Sequence, residues 1–494
     1  MRAAFLRRVL PLAAAAALAS ASPARAAAVI TIVNGNQPGV GFNDATPATP
    51  VGGNPGTTVG QQRLNAFQRA ADVWGALLDS PVEIRIRATF EHLDCDATTA
   101  TLGAAGPISA VTDFPNAPEA DTWYVSALAN RIAGSDLQTT GDDIQARFNS
   151  DLGTTGCLEG GSWYYGYDAN AGPNQLDLVS TLLHEFAHGL GFLTLVDESD
   201  GTEFNGFSDI FERHILDLET GKHWSSMTDA ERLQSAVHTN QVVWDGINVQ
   251  AATPSTLEPK PGLTVTAPPS IDGEYTIGTA DFGAPVSTTP VTGTLVEAID
   301  PADAAGTSTK DGCSTFTNAS AVAGKVALID RGTCPFIDKA IHAQSAGAIG
   351  VVIVNNQGTG VIGMGGEAPG VTIPVVMISQ ADGAAIRAQI AQSVAVNIWA
   401  NPRLLAGASV ENRMLLYAPD PIEIGSSTSH WDTSAQPNLL MEPNLSSDLS
   451  HEVDLTLPLL RDIGWFADDG PAAGPRSAPH RLQGNGAPKV VERP

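Results

Sequence analysis

The chain has 494 residues, of which 43% are apolar and 16% charged, and its formal charge is −27. At roughly 150 residues per domain it holds two or three folded units, and its apolar share excludes wholesale disorder. So acidic a chain repels phosphate backbones, which excludes nucleic acid as a partner, and an aromatic share of 6% argues against a carbohydrate-binding specialist.

Residues 1–26 read as a secretory signal: Arg2, Arg7 and Arg8 precede a short apolar stretch, and Ala24-Arg25-Ala26 forms a small-x-small cleavage site. The stretch is too short to span a bilayer, so no membrane span is expected once the signal is removed. A secreted or periplasmic protein is expected. The Ala- and Arg-rich leader is of bacterial type, which discounts the acceptor-like Asn318-Ala-Ser and Asn444-Leu-Ser.

Residues 27–260 read as the first part of one α+β domain. After a Gly/Pro/Thr-rich segment, Leu64, Phe67, Ala71, Trp74 and Leu78 recur at helical spacing, with Arg63, Arg69 and Asp72 off the stripe. Val82, Ile84, Ile86, Ala88 and Phe90 then alternate with polar residues, as in a half-buried strand. Ile144, Ala146 and Phe148 repeat that pattern briefly, and residues 163–167 add an extended piece. A helix is predicted over 174–190, with Asn174 as N-cap, an apolar stripe of Leu178, Leu182, Phe186 and Leu190, and Gly189 and Gly191 as its stop.

From 261 to 402 short β-rich runs alternate with two helical stretches, at 336–346 and 381–390, which marks a separate α/β module. The earlier character returns over 403–466, and the Pro/Gly/Ala-rich segment 467–494 reads as a disordered tail. Four cysteines allow three pairings. Export favours disulfides, and Cys95–Cys157 with Cys313–Cys334 keeps each bridge inside one proposed domain.

The chemistry concentrates in His184-Glu185-Phe186-Ala187-His188. Positions i and i+4 of a helix face the same way, so both imidazoles can reach one metal ion, with Glu185 beside it as general base. Zinc is the expected ion, and it acidifies water and polarises a scissile carbonyl. A catalytic zinc needs a third protein ligand.

The run from His184 to Gly191 resembles the start of the metzincin signature, His-Glu-x-x-His-x-x-Gly-x-x-His. Where that signature has its third histidine, this chain has Thr194. Gly425-Ser426-Ser427-Thr428-Ser429-His430-Trp431-Asp432, followed by Leu439-Leu440-Met441-Glu442-Pro443, is similar to the leishmanolysin-type branch, in which an insertion separates the glycine from the third histidine. The resemblance implies His430 as third ligand and Met441 as the Met-turn residue beneath the metal. It also implies a cleft that pairs extended substrate along a sheet edge. A thermolysin-like alternative takes Asp209 or Glu212 as third ligand instead.

Gly324-Lys325-Val-Ala-Leu-Ile-Asp330-Arg331-Gly332-Thr-Cys334-Pro335-Phe336, followed by Asn355-Asn356 and Ile373-Pro374, resembles a protease-associated (PA) domain. The expectation is an α+β protein in which a PA insert interrupts a metzincin-like catalytic domain. It would be a secreted zinc endopeptidase acting on protein or peptide substrates through Glu185, His184, His188 and His430. The competing class is an inactive PA-domain peptide-binding protein with a structural metal. A third, a two-metal aminopeptidase, lacks a matching carboxylate constellation. Calcium is compatible with so acidic a chain, but no position is assigned to it.

Overall fold

The computed structural model describes residues 27–138, 141–446 and 448–466, with the backbone of Lys489–Glu492. The expected signal segment and most of the expected tail lie outside these residues. Lys489–Glu492 is a strand antiparallel to Ser109–Thr112, so this part of the tail is paired.

Four strands build the first sheet: β1 (Ile30–Asn34), β2 (Ile84–Glu91), β3 (Gly103–Pro107) and β4 (Ile144–Asn149). Their order is β1-β2-β4-β3; β1, β2 and β4 run parallel, and β3 lies antiparallel on the edge. The predicted alternation holds in β2, where Ile84, Ile86, Ala88 and Phe90 are buried and Arg85 and Arg87 face outward.

Helix α1 (Val59–Leu77) packs on this sheet through Phe67, whose ring lies 5.8 Å from Phe90 and 5.0 Å from Phe148. Its buried face departs from the predicted stripe. Leu64 is 37% exposed, whereas Arg63 is buried. The guanidinium tolerates burial because it donates to Gly41 O and the Tyr165 hydroxyl and lies over the Phe90 ring.

Helix α2 (Leu178–Leu190) carries the two motif histidines and is buried nearly all round, every residue but His188 being buried. Trp74 Nε1 of α1 donates to Leu183 O at 3.1 Å, and Phe186 meets Phe67 at 6.0 Å. The N-cap is Asp177, not Asn174. The Asp177 carboxylate accepts from Ser180 N at 2.9 Å, while Asn174 adopts φ 62° in the turn before the short strand Gln175–Asp177.

The insert is one eight-stranded sheet, beginning with β5 (Pro259–Ala267) and ending with β10 (Ala395–Leu405). Between them, β6 (Val291–Glu297), β7 (Val326–Asp330), β8 (Gly350–Val354) and β9 (Val375–Ile378) are parallel neighbours. Strand β7 shows why helices cover both faces. Ala327 and Ile329 join a core with Ala340 and Ala343 of α3 (Phe336–Ser345), while Val326 and Leu328 join Ile386 of α4 (Gln380–Ala388) on the other side.

The insert leaves and re-enters the larger unit at adjacent points. Pro259 pairs with Leu405, and Ala406 N donates to Glu258 O at 3.0 Å. Such closely spaced ends let a whole module interrupt a chain without separating the flanking segments. The returning chain pairs at once, Leu416 N donating to Val242 O and Trp244 N to Met414 O, both at 2.9 Å. Helix α5 (Thr456–Asp462) then anchors Asp462 against Trp244 Nε1 at 2.9 Å, and Trp465 Nε1 caps Leu190 O at the end of α2 at 2.8 Å. Cys95–Cys157 and Cys313–Cys334 are both bonded. No helix among the described residues is long and apolar enough to cross a membrane.

Candidate metal centre

His184 and His188 lie one turn apart on α2, and the chain returning after the insert brings His430 to them. The Nε2 atoms stand 3.2 Å apart between His188 and His184, and 3.3 Å apart from His430 to each of the other two. Every Nδ1 faces a backbone carbonyl: Leu440 O at 2.7 Å from His184, Phe192 O at 2.7 Å from His188, and Ser426 O at 2.8 Å from His430. A carbonyl cannot donate, so each Nδ1 carries the proton and each Nε2 presents a lone pair. Three lone pairs thus converge in a buried space with no donor among them. Burial holds all three rings neutral, pushing His184 down to about 4, His430 to about 3 and His188 well below the usual range.

This arrangement fits a tetrahedral cation. Three nitrogens at about 2.0–2.1 Å from a tetrahedral zinc sit roughly 3.3–3.4 Å from one another, which is the spacing found. Among the described residues these three histidines are the His/Cys/Asp/Glu grouping able to hold a metal, and no calcium position emerges.

Local sequence explains how each ring is aimed. Gly191 takes φ 118° and ends α2, folding Phe192 back so that its carbonyl meets His188. A Cβ there would also come within 2.8 Å of Ile463 Cδ1. Thr194, at the place of the signature's missing histidine, donates its N–H to Ser429 Oγ at 3.3 Å. The loop bearing His430 is therefore tied to that position. Trp431 N donates to Met441 O at 2.8 Å, and Met441 is fully buried beside Leu440, whose carbonyl holds His184. Asp454 secures the same residue by accepting Leu440 N at 2.6 Å.

The alternative ligands do not reach this centre. Asp209 accepts from Thr194 Oγ1 at 2.8 Å, Leu195 N at 2.5 Å and Glu212 N at 2.7 Å, and Arg232 lies 3.5 Å from Glu212. Both carboxylates brace the loop after α2.

Glu185 points toward the sheet edge, where it accepts the backbone N–H of Ala105 in β3; burial nonetheless pushes its carboxyl up to about 8. A cleft of about 710 Å³ joins these parts, walled by residues 100–105, the three histidines, Glu185, Glu198 and Pro443. Strand β3 was missed in the sequence because Gly-Ala-Ala-Gly-Pro has no large side chains to alternate. Its smallness has a cause: a Cβ on Gly103 would lie 2.8 Å from the Phe148 ring.

Residues 291–386 match the PA domain family. The insert is a PA domain. The chain is 36% identical over 120 residues to human ER degradation-enhancing alpha-mannosidase-like protein 3, covering 22% of this chain and 12% of that protein. It is 30% identical over 175 residues to vacuolar-sorting receptor 2 of Arabidopsis thaliana, covering 32% and 26%. The chain thus spans about a quarter or less of these relatives, which come from eukaryotes. A zinc aminopeptidase from Bacillus subtilis superposes with a TM-score of 0.21 at 23% identity, covering 30% of this chain and 35% of that one.

Proposed function

We propose that this protein is a zinc-dependent endopeptidase of metzincin type, with its third ligand delivered across the PA insert. The observation that carries the reading is the set of three Nε2 lone pairs, each fixed by a carbonyl behind it and spaced as a tetrahedral metal requires. His184, His188 and His430 would hold the ion, above Met441. Zinc there supplies a Lewis acid that acidifies water and polarises the scissile carbonyl.

The residues of the chain do the rest. Glu185, next to His184 on α2 and lining the cleft, takes the proton of the attacking water and passes it to the departing amine. Strand β3 lies on the sheet edge along the cleft, so a substrate in extended form can add beside it as a further strand, with the Ala105 N–H held by Glu185 until it binds. Binding of that kind grips the backbone on both sides of the scissile bond, which favours internal cleavage over trimming from an end. The two disulfides fit an oxidising, extracellular setting.

The test is cleavage of an unfolded protein by the zinc-loaded chain. Chelator should abolish cleavage and zinc restore it, and Glu185→Gln should lower kcat by roughly 10²–10⁴ while zinc stays bound. Cleavage that survives both treatments would refute the reading.

A further inference from the structure

The PA insert buries a lysine against its own disulfide. Lys339 is 0% exposed, and its Nζ lies 3.2 Å from Cys334 Sγ and 3.5 Å from Cys313 Sγ, with Asp311 O as a third acceptor. A carbonyl and two disulfide sulfurs can only accept, so the nitrogen uses three N–H groups, as an ammonium has. Buried lysines are almost always paired with an anion. The lysine ion pairs among the described residues belong to Lys222 and Lys310, not to Lys339. Burial lowers its proton affinity from the usual 10.5, an effect that Asp311, Asp300 and Asp330 oppose from further away.

A buried cation without a counter-ion favours a reaction that creates an anion beside it. Reduction of Cys313–Cys334 does so, because a thiol next to an ammonium ionises below the usual value of about 8.5. Position acts in the same direction. Cys334 precedes Pro335, the N-cap of α3, where the helix dipole also favours a thiolate. The second bridge is a built-in control. Cys95–Cys157 likewise joins a half-buried residue to a buried one, yet its hydrogen-bond donor among the described residues is the neutral Asn149 amide, 3.8 Å from Cys157 Sγ.

We propose that Cys313–Cys334 is a thiol–disulfide exchange site, opened by a dithiol reductant that attacks Cys334, with Lys339 holding the thiolate that forms. Cys334 is the half-buried member and Cys313 is 6% exposed, so the entering thiolate meets Cys334 Sγ. The S–S bond breaks, and its electron pair leaves with Cys313 as a thiolate beside Lys339 Nζ. The reductant's second thiol gives its proton to solvent and displaces Cys334, so the reductant ends as its own disulfide. Of the two cysteine thiolates, one stays with Lys339 and the other takes a proton from solvent. Opening frees residues 298–318, which form no helix or strand, from their covalent tie to the start of α3. None of this depends on whether the chain cleaves peptides.

In the test, dithiothreitol is added to the native full chain, and free thiols are trapped by alkylation at intervals and assigned by mass spectrometry. Cys313–Cys334 should open at least about 10-fold faster than Cys95–Cys157, because a leaving thiol of lower pKa departs faster. Lys339→Met keeps an unbranched apolar stem and removes the charge. It should slow opening of Cys313–Cys334 about 10-fold and leave Cys95–Cys157 unchanged. In the reduced natural chain, the pH dependence of alkylation should place one of Cys313 and Cys334 below about 8.5. Where Lys339→Met does not fold, the two readings on the natural chain decide. Equal opening of the bridges, faster opening of Cys95–Cys157, an unchanged rate in Lys339→Met, or two thiols of ordinary pKa in the reduced pair overturns the inference.

Discussion

Replacing His430 by alanine removes one of three converging nitrogens and leaves two, 3.2 Å apart, fewer than the three protein ligands that zinc sites use. Losing only the hydrogen bond behind a ligand costs roughly 10–100-fold in metal affinity, so losing the ligand should cost more than about 100-fold. Zinc at a hundred times its Kd stabilises the native chain by about 2.7 kcal/mol, and at a concentration equal to Kd by only about 0.4 kcal/mol. For a unit of this size the first figure is roughly 5–10 °C in Tm and the second about 1 °C. The assay is therefore the zinc-induced increment in Tm, measured at one zinc concentration for the natural chain and for His430→Ala. Any void left by the ring lowers both the zinc-free and the zinc-loaded value and cancels in the increment. Asp209→Asn is the control, and its increment should be retained, because Asp209 serves Thr194 and Leu195 rather than the metal. An unchanged increment in His430→Ala, or its loss in Asp209→Asn alone, would refute the ligand assignment.

Further outcomes follow from single contacts. Burial raises the Glu442 carboxyl from 4.5 to about 7, so the native chain keeps a proton that the unfolded chain releases. Stability from this group is complete below about pH 4.5 and is lost as pH rises through about 7. Glu442→Gln, which keeps the acceptor for Leu439 N, should match the natural chain at pH 4.5 and exceed it by at most about 3 kcal/mol at pH 8 in denaturant titrations. Gly191→Ala forces a methyl-bearing residue to φ 118° and against Ile463. It should cost about 1–3 kcal/mol and weaken zinc binding by displacing the Phe192 carbonyl, both readable by denaturation and metal titration. The Cys95–Cys157 bridge spans 62 positions and the Cys313–Cys334 bridge 21. Loop-closure entropy gives about 4 and about 3 kcal/mol, so serine pairs should lower chemical-denaturation stability in that order.

The two motif histidines and the alternation in β2 were readable from spacing, whereas His430 was expected from the resemblance to the leishmanolysin-type branch, and the fold brings its Nε2 to 3.3 Å from each of the other two. The module boundary at 261–402 differs from the sheet, Pro259 to Leu405, only by the residues that pair across its ends. What escaped the sequence has physical reasons. Strand β3 is made of glycine, alanine and proline, so it has no hydrophobic rhythm, yet it forms the cleft edge. Arg63 lies off the apolar stripe and is buried because of partners at Gly41, Tyr165 and Phe90 that are distant in sequence or outside its helix. Asp177 rather than Asn174 caps α2 because a short strand pairing with Ser162–Tyr164 delays the first turn. Asp209 and Glu212 had plausible ligand spacing, and only the fold reveals that Thr194, Leu195 and Arg232 claim them.

Zinc K-edge X-ray absorption on the zinc-loaded full chain tests the metal centre directly. The account expects three imidazole nitrogens at about 2.0–2.1 Å with one further oxygen, falling to two imidazoles in His430→Ala. A spectrum showing two imidazoles and a carboxylate in the natural chain, unchanged by His430→Ala, would contradict it.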